Sequence, residues 1–284
     1  MLGLPLHYLL KHPAVGMAVL SANPLEVWTR VKETYLAERE LREPPCQYEA
    51  HDNWDRRLHE QLGVAWPCEH SSEFWSLWSE VVQELCAKGI QPGPMSFGCW
   101  NDGDAGFVRA IWCLVHHLKP KNVVETGVAH GVTSRFILEA LARDDAGRLA
   151  SIDLPPIERE RRAQVAMAVG GRYADRWSYI EGSSRLHLPK LLAKLGQIDL
   201  FIHDSLHSER NVRFELDRAW AALRPGGAMV VDDIDANRGF QSFTESFSGH
   251  RSMICEAEPL RPDPRRFNQK GLFGIILKDS TARG

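Results

Sequence analysis

The chain has 284 residues, 44% of them hydrophobic, and a net charge of −3. That is enough chain for one large α/β domain with an addition, and the charge excludes the general polyanion affinity of a basic nucleic-acid binder. Its six cysteines are scattered without a Cys-x-x-Cys pair, no signal segment is visible, and the apolar run Leu2 to Leu20 is broken by Lys11, His12 and Pro13, so a cytoplasmic protein that does not span a membrane is expected.

Residues 1–104 read as a mainly helical N-terminal extension, rich in Trp, His and Pro and without strand–helix alternation. The pattern predicts one helix from Pro24 to Arg42, stopped by Pro44-Pro45. A second runs from Ser72 to Lys88, with Phe74, Trp75, Trp78, Val81, Val82 and Leu85 at helical spacing and Gly89 as its stop. Cys46, His51, His59, Cys68 and His70 invite a zinc reading, but their spacing matches no common ligand pattern. Gln91 to Asp104 is a Gly-, Pro- and Asp-rich loop, and Trp100 to Asp104 within it is a candidate lid. Asp104 is placed to cap the next helix, Ala105 to Leu118.

From there the alternation is regular. The predicted order is strand Asn122–Glu125, helix Thr133–Ala142, strand Arg148–Asp153 and helix Ile157–Val169. Next come strand Trp177–Glu181, helix Ser184–Leu195, strand Ile198–His203 and helix Glu209–Leu223. Arg224-Pro-Gly-Gly227 is a turn into strand Ala228–Val231, followed by a helical piece near Phe240 to Phe247. Strands Ser252–Glu256 and Leu272–Leu277, joined by a polar loop, close the chain. Such alternation predicts a Rossmann-like, doubly wound, mostly parallel sheet over residues 105–284.

The strand–turn–helix from Lys121 to Arg135 is the stretch around which the rest is placed. Gly127 and Gly131 flank its turn, and a turn opening a helix presents backbone N–H groups to an anionic ligand group. Ligands of such sheets bind beyond the carboxyl ends of the strands. There the sequence delivers Glu125, Asp153, Glu181, Asp204 and the pair Asp232-Asp233. Carboxylates gathered in one cleft repel unless cations or donors intervene, so the site expects hydroxyls, ammonium groups or a hard metal. Asp153, ending the second strand, is placed for a ribose. The dinucleotide fingerprint is incomplete, because Gly127, Ala129 and Val132 stand where three glycines belong.

Glu125-Thr-Gly-Val-Ala-His-Gly131 resembles the first motif of the class I S-adenosylmethionine-dependent methyltransferases. Asp199 to Asp204, Leu223 to Gly227 and Val230 to Asp233 match that family in order and spacing, so the likeness covers roughly residues 105–278. The resemblance implies a seven-stranded sheet with one antiparallel strand and S-adenosylmethionine as cofactor. It implies that Glu125 and the backbone of Gly127, Val128, Ala129 and Gly131 hold the methionine part. Thr133 and Ser134 would take the cofactor carboxylate, Asp153 the ribose, and Glu181, Gly182 and Ser183 would lie near the adenine.

A narrower resemblance is to the divalent-cation-dependent O-methyltransferases of the catechol, macrolide-sugar and cephalosporin-hydroxylase-like types. It implies Mg²⁺ on Asp204, Asp232 and Asp233, with Asp204 also bordering the cofactor. His207 would be the catalytic base, with His203 and His130 as competitors. The implied reaction is methylation of a hydroxyl on a sugar or other small molecule, with a homodimer as an open arrangement. Two alternatives stand beside it: an NAD(P)-dependent oxidoreductase, and a cofactor-binding module without turnover. The same residues also have plainer readings, as turn glycines, helix caps at Thr133 and Ser134, and a buried core histidine at His203.

Overall fold

The structure is a computed structural model that describes residues 24–40, 46–90, 104–258 and 271–280. The apolar run at Leu2 to Leu20, the prolines after the first helix, the stretch 91–103 with most of the candidate lid, and most of the loop before the last strand lie outside them. Three helices come first: α1 (Pro24–Glu40), α2 (Trp54–Leu62) and α3 (Ser71–Ala87). The α/β part follows as α4 (Ala105–Leu118), β1 (Asn122–Thr126), α5 (Val132–Arg143), β2 (Arg148–Asp153), α6 (Arg159–Arg162) and β3 (Trp177–Glu181). It continues through α7 (Ser184–Leu195), β4 (Ile198–His203), α8 (Glu209–Ala222), β5 (Leu223–Val231), a 3₁₀ turn at Ile234–Ala236, α9 (Gly239–Ser246), β6 (His250–Glu256) and β7 (Leu272–Lys278).

The seven strands form one sheet in the order β3-β2-β1-β4-β5-β7-β6. The first five pair in parallel, and β7 runs antiparallel to both β5 and β6. This is the seven-stranded sheet with one reversed strand that the resemblance implied. Period-two alternation splits the strands between two cores. Val123, Leu149, Leu200, Ile202, Val230 and Ile275 face α3, α4 and α5, while Val124, Ile152, Phe201, Met229, Val231 and Ile276 face α7, α8 and α9. Helix α4 is buried along most of its length, as an apolar-all-round helix must be. Asp104 caps it, accepting a hydrogen bond from the Phe107 backbone N–H at 3.0 Å.

Three expectations change. The helix foreseen over Ile157–Val169 is only the four residues of α6, followed by turns. The cause lies in where its backbone donors go: the N–H groups of Ala166 and Ala168 bond the carbonyls of Ala129 and His130, each at 2.9 Å, and Ala166 has φ +58°. That segment lies over the glycine turn instead of winding on itself. The Arg224–Gly227 turn is taken into β5 as an irregular start, with Leu223 paired to Ile198 and a register shift before Leu200. Helix α2 was not foreseen, since its charge-dense sequence buries only Trp54, Leu58 and His59.

Candidate active site

Register puts the strand ends side by side. Glu125 lies opposite Ser151 and Ile202, Asp153 opposite Glu181, and His203 opposite Val231. Asp204 and Asp232 are the next residues of their strands, and their N–H groups bond the carbonyls of Thr126 and His203, each at 2.9 Å. The carboxylates of Glu125, Asp153, Asp204 and Asp233 therefore act on one another across one crevice: Asp204 and Asp153 both raise Glu125, and Asp233 and Asp153 both raise Asp204.

The glycine turn is clamped from both sides. A Cβ on Gly127 would stand 1.8 Å from the Asp204 carbonyl oxygen, and φ there is +87°. A Cβ on Gly131 would stand 2.9 Å from Ala166 Cα, at φ +80°. These two glycines are required by close approach as well as by conformation. The Asp153 carboxylate reaches back to the turn and accepts the Val128 N–H at 3.2 Å. Ala129 takes the left-handed conformation at φ +47°.

Glu125 is fully enclosed. Ser134 and Ser151 each donate a hydroxyl to its Oε2 at 2.7 Å, and its Oε1 has no hydrogen-bond partner. Burial pushes its pKa up to about 8 despite the two serines. Ser134 is itself fully buried and spends its hydroxyl on Glu125, a different use from the cofactor carboxylate it was expected to bind. Thr133 stays partly exposed one position earlier. On the β3 side, Gly182 at φ +143° lets the chain pass His187, whose Nε2 lies 2.3 Å from where a Cβ would be. Ser183 is buried, and exposed Glu181 pairs with Arg162.

At the β4–β5 end, ligand atoms of Asp204, His207 and Asp232 all lie within 4.8 Å of one another. Burial drives Asp204 up to about 7, with Asp233 and Asp153 adding to it and His207 and Asp232 opposing. His207 holds Asp233 Oδ2 at 2.9 Å through Nδ1 and turns Nε2 toward Asp204 Oδ1, 3.8 Å away. Burial disfavours its charged form, but Asp233, Asp204 and Glu215 outweigh this and raise its pKa. Asp233, expected as a third metal ligand, meets His207 through its Oδ2. Of the competing bases, His203 is fully buried on Glu215 at 2.6 Å, and His130 is buried with its pKa lowered by desolvation.

Sequence reasoning missed Glu215. It is fully buried and accepts from Thr126 at 2.5 Å, Ser205 at 2.8 Å and Asn211 at 3.0 Å as well as from His203. Burial alone would raise its pKa, but His203, with hydrogen bonds from Ser184 and Thr126, holds it down at about 2. The signal was available: an acid between Val212, Leu216 and Ala219 on the apolar face of α8. The network ties β1, the Asp204 loop and α8 into one frame under the crevice.

Residues 124–234 match the family model of a methyltransferase domain. Among curated proteins, none matches the chain. Solved structures share the fold at low identity. An O-methyltransferase from Bacillus cereus in complex with SAH superposes with a TM-score of 0.53 at 13% identity, covering 80% of this chain and 97% of that one. The O-methyltransferase TomG from Streptomyces achromogenes, involved in tomaymycin synthesis and in complex with SAM, gives 0.52 at 17%, covering 72% and 89%. Cofactor-bound Rv0187 from MTB gives 0.52 at 17%, covering 83% and 100%.

Proposed function

We propose that this chain, whose residues 124–234 match the model of a methyltransferase domain, is a class I S-adenosylmethionine-dependent enzyme that methylates a hydroxyl oxygen of a small molecule with the help of a divalent cation. The observation that carries this reading is the meeting of Asp204, His207 and Asp232 beside the glycine turn and its acids. Uncompensated, that many carboxylates in one crevice are costly; a sulfonium cofactor and a hard cation both relieve the cost.

S-adenosylmethionine supplies an electrophilic methyl on a cationic sulfur. The backbone of Gly127 to Gly131 forms the floor on which it lies, and Asp153 offers its carboxylate to the ribose hydroxyls. Glu125 gives the enclosed negative charge next to the methionine part, with Thr133 at the open helix start and Gly182 and Ser183 along the adenine side. The donor set suits a divalent cation: two carboxylates, Asp204 and Asp232, leave room for waters and an acceptor, as Mg²⁺ requires. Bound there, such a cation supplies Lewis acidity toward the acceptor hydroxyl.

His207 then has a defined task. Asp233 fixes the proton on Nδ1, so Nε2 presents a lone pair toward the crevice and takes the acceptor proton. The frame under Glu215 holds the Asp204 loop still while this happens, and the in-line geometry between methyl and oxygen does much of the catalytic work. Sugars and secondary metabolites are the acceptor class we favour, on the likeness of the acid set to cation-dependent enzymes acting on them.

The test is direct. Calorimetry should show S-adenosylmethionine binding that Asp153→Ala weakens by roughly 10–100-fold. With a hydroxyl-compound panel, S-adenosylhomocysteine release should stop in chelator and return with Mg²⁺. Asp232→Asn should abolish that turnover and leave cofactor affinity within about threefold. Turnover unchanged in chelator would sink the metal reading; absence of cofactor binding would sink the whole.

A further inference from the structure

Outside the acidic crevice, four metal-competent side chains meet where the N-terminal helices touch α4. Cys113 and His117 stand four residues apart on α4 and so share one face. Against them lie His59 from α2 and Cys68 from the segment between α2 and α3. Helix α4 runs into the start of β1, so the cluster lies toward the sheet edge opposite the acids.

Three of the four side chains already form a compact cluster, and the Cys113 sulfur lies against one of them. Cys68 Sγ is 3.4 Å from Cys113 Sγ and 3.6 Å from His117 Nε2. Ligand atoms of His59, Cys68 and His117 all lie within 4.8 Å of one another. A tetrahedral zinc with Zn–S of about 2.3 Å and Zn–N of about 2.0 Å sets edges of about 3.8 Å between sulfurs and about 3.5 Å between sulfur and nitrogen. His59 is 1% exposed, and its Nδ1 lies 2.6 Å from the Asp55 carbonyl. That bond keeps the proton on Nδ1, and the buried Nε2 is left with no hydrogen-bond partner. A ring held through one nitrogen by a backbone carbonyl, with the other bare, is how metal-bound histidines are oriented.

We propose that His59, Cys68, Cys113 and His117 are the four ligands of a structural zinc ion that fastens the N-terminal helices to α4. Two sulfurs and two imidazoles select zinc over the hard cations of the acidic crevice, and four protein ligands leave no open position for chemistry. Of the five N-terminal residues that invited a zinc reading, His59 and Cys68 fall in this cluster and the other three lie elsewhere. Cys46 lies 3.6 Å from Gln241, His51 contacts the Ile254 carbonyl at 3.2 Å, and His70 stacks on His116. The proposal does not depend on the methyl-transfer reading.

The experiment is metal analysis of the full chain purified under reducing conditions without chelator, followed by exchange with Co²⁺. One zinc per chain is expected, and the Co²⁺ form should show tetrahedral d–d bands with sulfur-to-cobalt charge transfer. Cys68→Ser and His117→Asn should cut zinc content at least about tenfold, whereas Asp232→Asn should keep it. If those variants do not fold, stepwise mercurial titration of the wild-type chain should release its zinc as two thiols react. Protein without zinc that also takes up no Co²⁺, zinc retained in Cys68→Ser, or a Cys68–Cys113 disulfide in alkylated peptides would each overturn the proposal.

Discussion

Glu125 is fully buried, so its charge depends on what binds beside it. Its pKa near 8, against an ordinary 4.5, leaves it largely protonated at neutral pH in the free protein. A cationic cofactor favours the ionised form, so binding should release a proton below pH 8 and tighten as pH rises. We expect the affinity for S-adenosylmethionine to climb between pH 6 and 8 and then level, measured calorimetrically in buffers of different ionisation heat; Glu125→Gln should flatten the climb. Stability follows the same sign. A carboxyl whose folded pKa is raised contributes fully below its unfolded value and loses that contribution as pH rises through about 8. Ligand-free Glu125→Gln should therefore lose less stability than the parent between pH 6 and 9. At Asp204, raised to about 7, a cation competes with a proton. kcat/KM should rise with pH through neutrality, and added Mg²⁺ should move the midpoint down; a midpoint indifferent to Mg²⁺ would refute cation binding there. Gly127→Ala meets both a left-handed φ and the Asp204 carbonyl, and should cost more than about 3 kcal/mol by chemical denaturation.

At the level of elements, α8 does more than cover the sheet. Through Glu215 it satisfies Thr126 on β1, His203 on β4, Ser205 in the loop before it and Asn211 in its own first turn. Glu215→Ala should cost about 3–5 kcal/mol, since it strands several buried polar groups at once. Held near 2, the Glu215 carboxyl contributes stability above its ordinary pKa and loses it as the solution is acidified toward pH 2, a loss the variant should lack in acid unfolding. The strands and their acidic ends were legible because alternation and strand-end position are local properties of the chain. Glu215 was not, because its partners come from three other elements. The segment 157–169 misled for a related reason: its alanines favour a helix, but the glycine turn offers carbonyls that take its donors away. The cysteine–histidine cluster was hidden because half of it sits inside a helix that reads as core.

Across the molecule, helices α2 and α3 and the sheet share one core. Phe74 of α3 contacts Trp112 of α4 and Phe136 of α5, with ring centroids 6.3 and 5.0 Å away. Arg135 of α5, 3% exposed, reaches Glu80 and Glu84 of α3. Phe74→Ala should cost about 3–5 kcal/mol, and calorimetry should still show a single transition, because no apolar boundary separates extension from sheet. Two transitions would show that the extension folds by itself. The strand order carries a last consequence. Of the seven strands, β7 leaves the ribosome last, yet it is wedged between β5 and β6. Until it emerges, a nascent chain holds a finished half-sheet with the backbone of Met229 and Val230 open along one flank, and β6 waits without its neighbour. Such an edge is an invitation to other chains, so chaperone demand during synthesis should peak just before translation reaches Leu272, and a premature stop there would yield aggregates in place of a shorter folded protein.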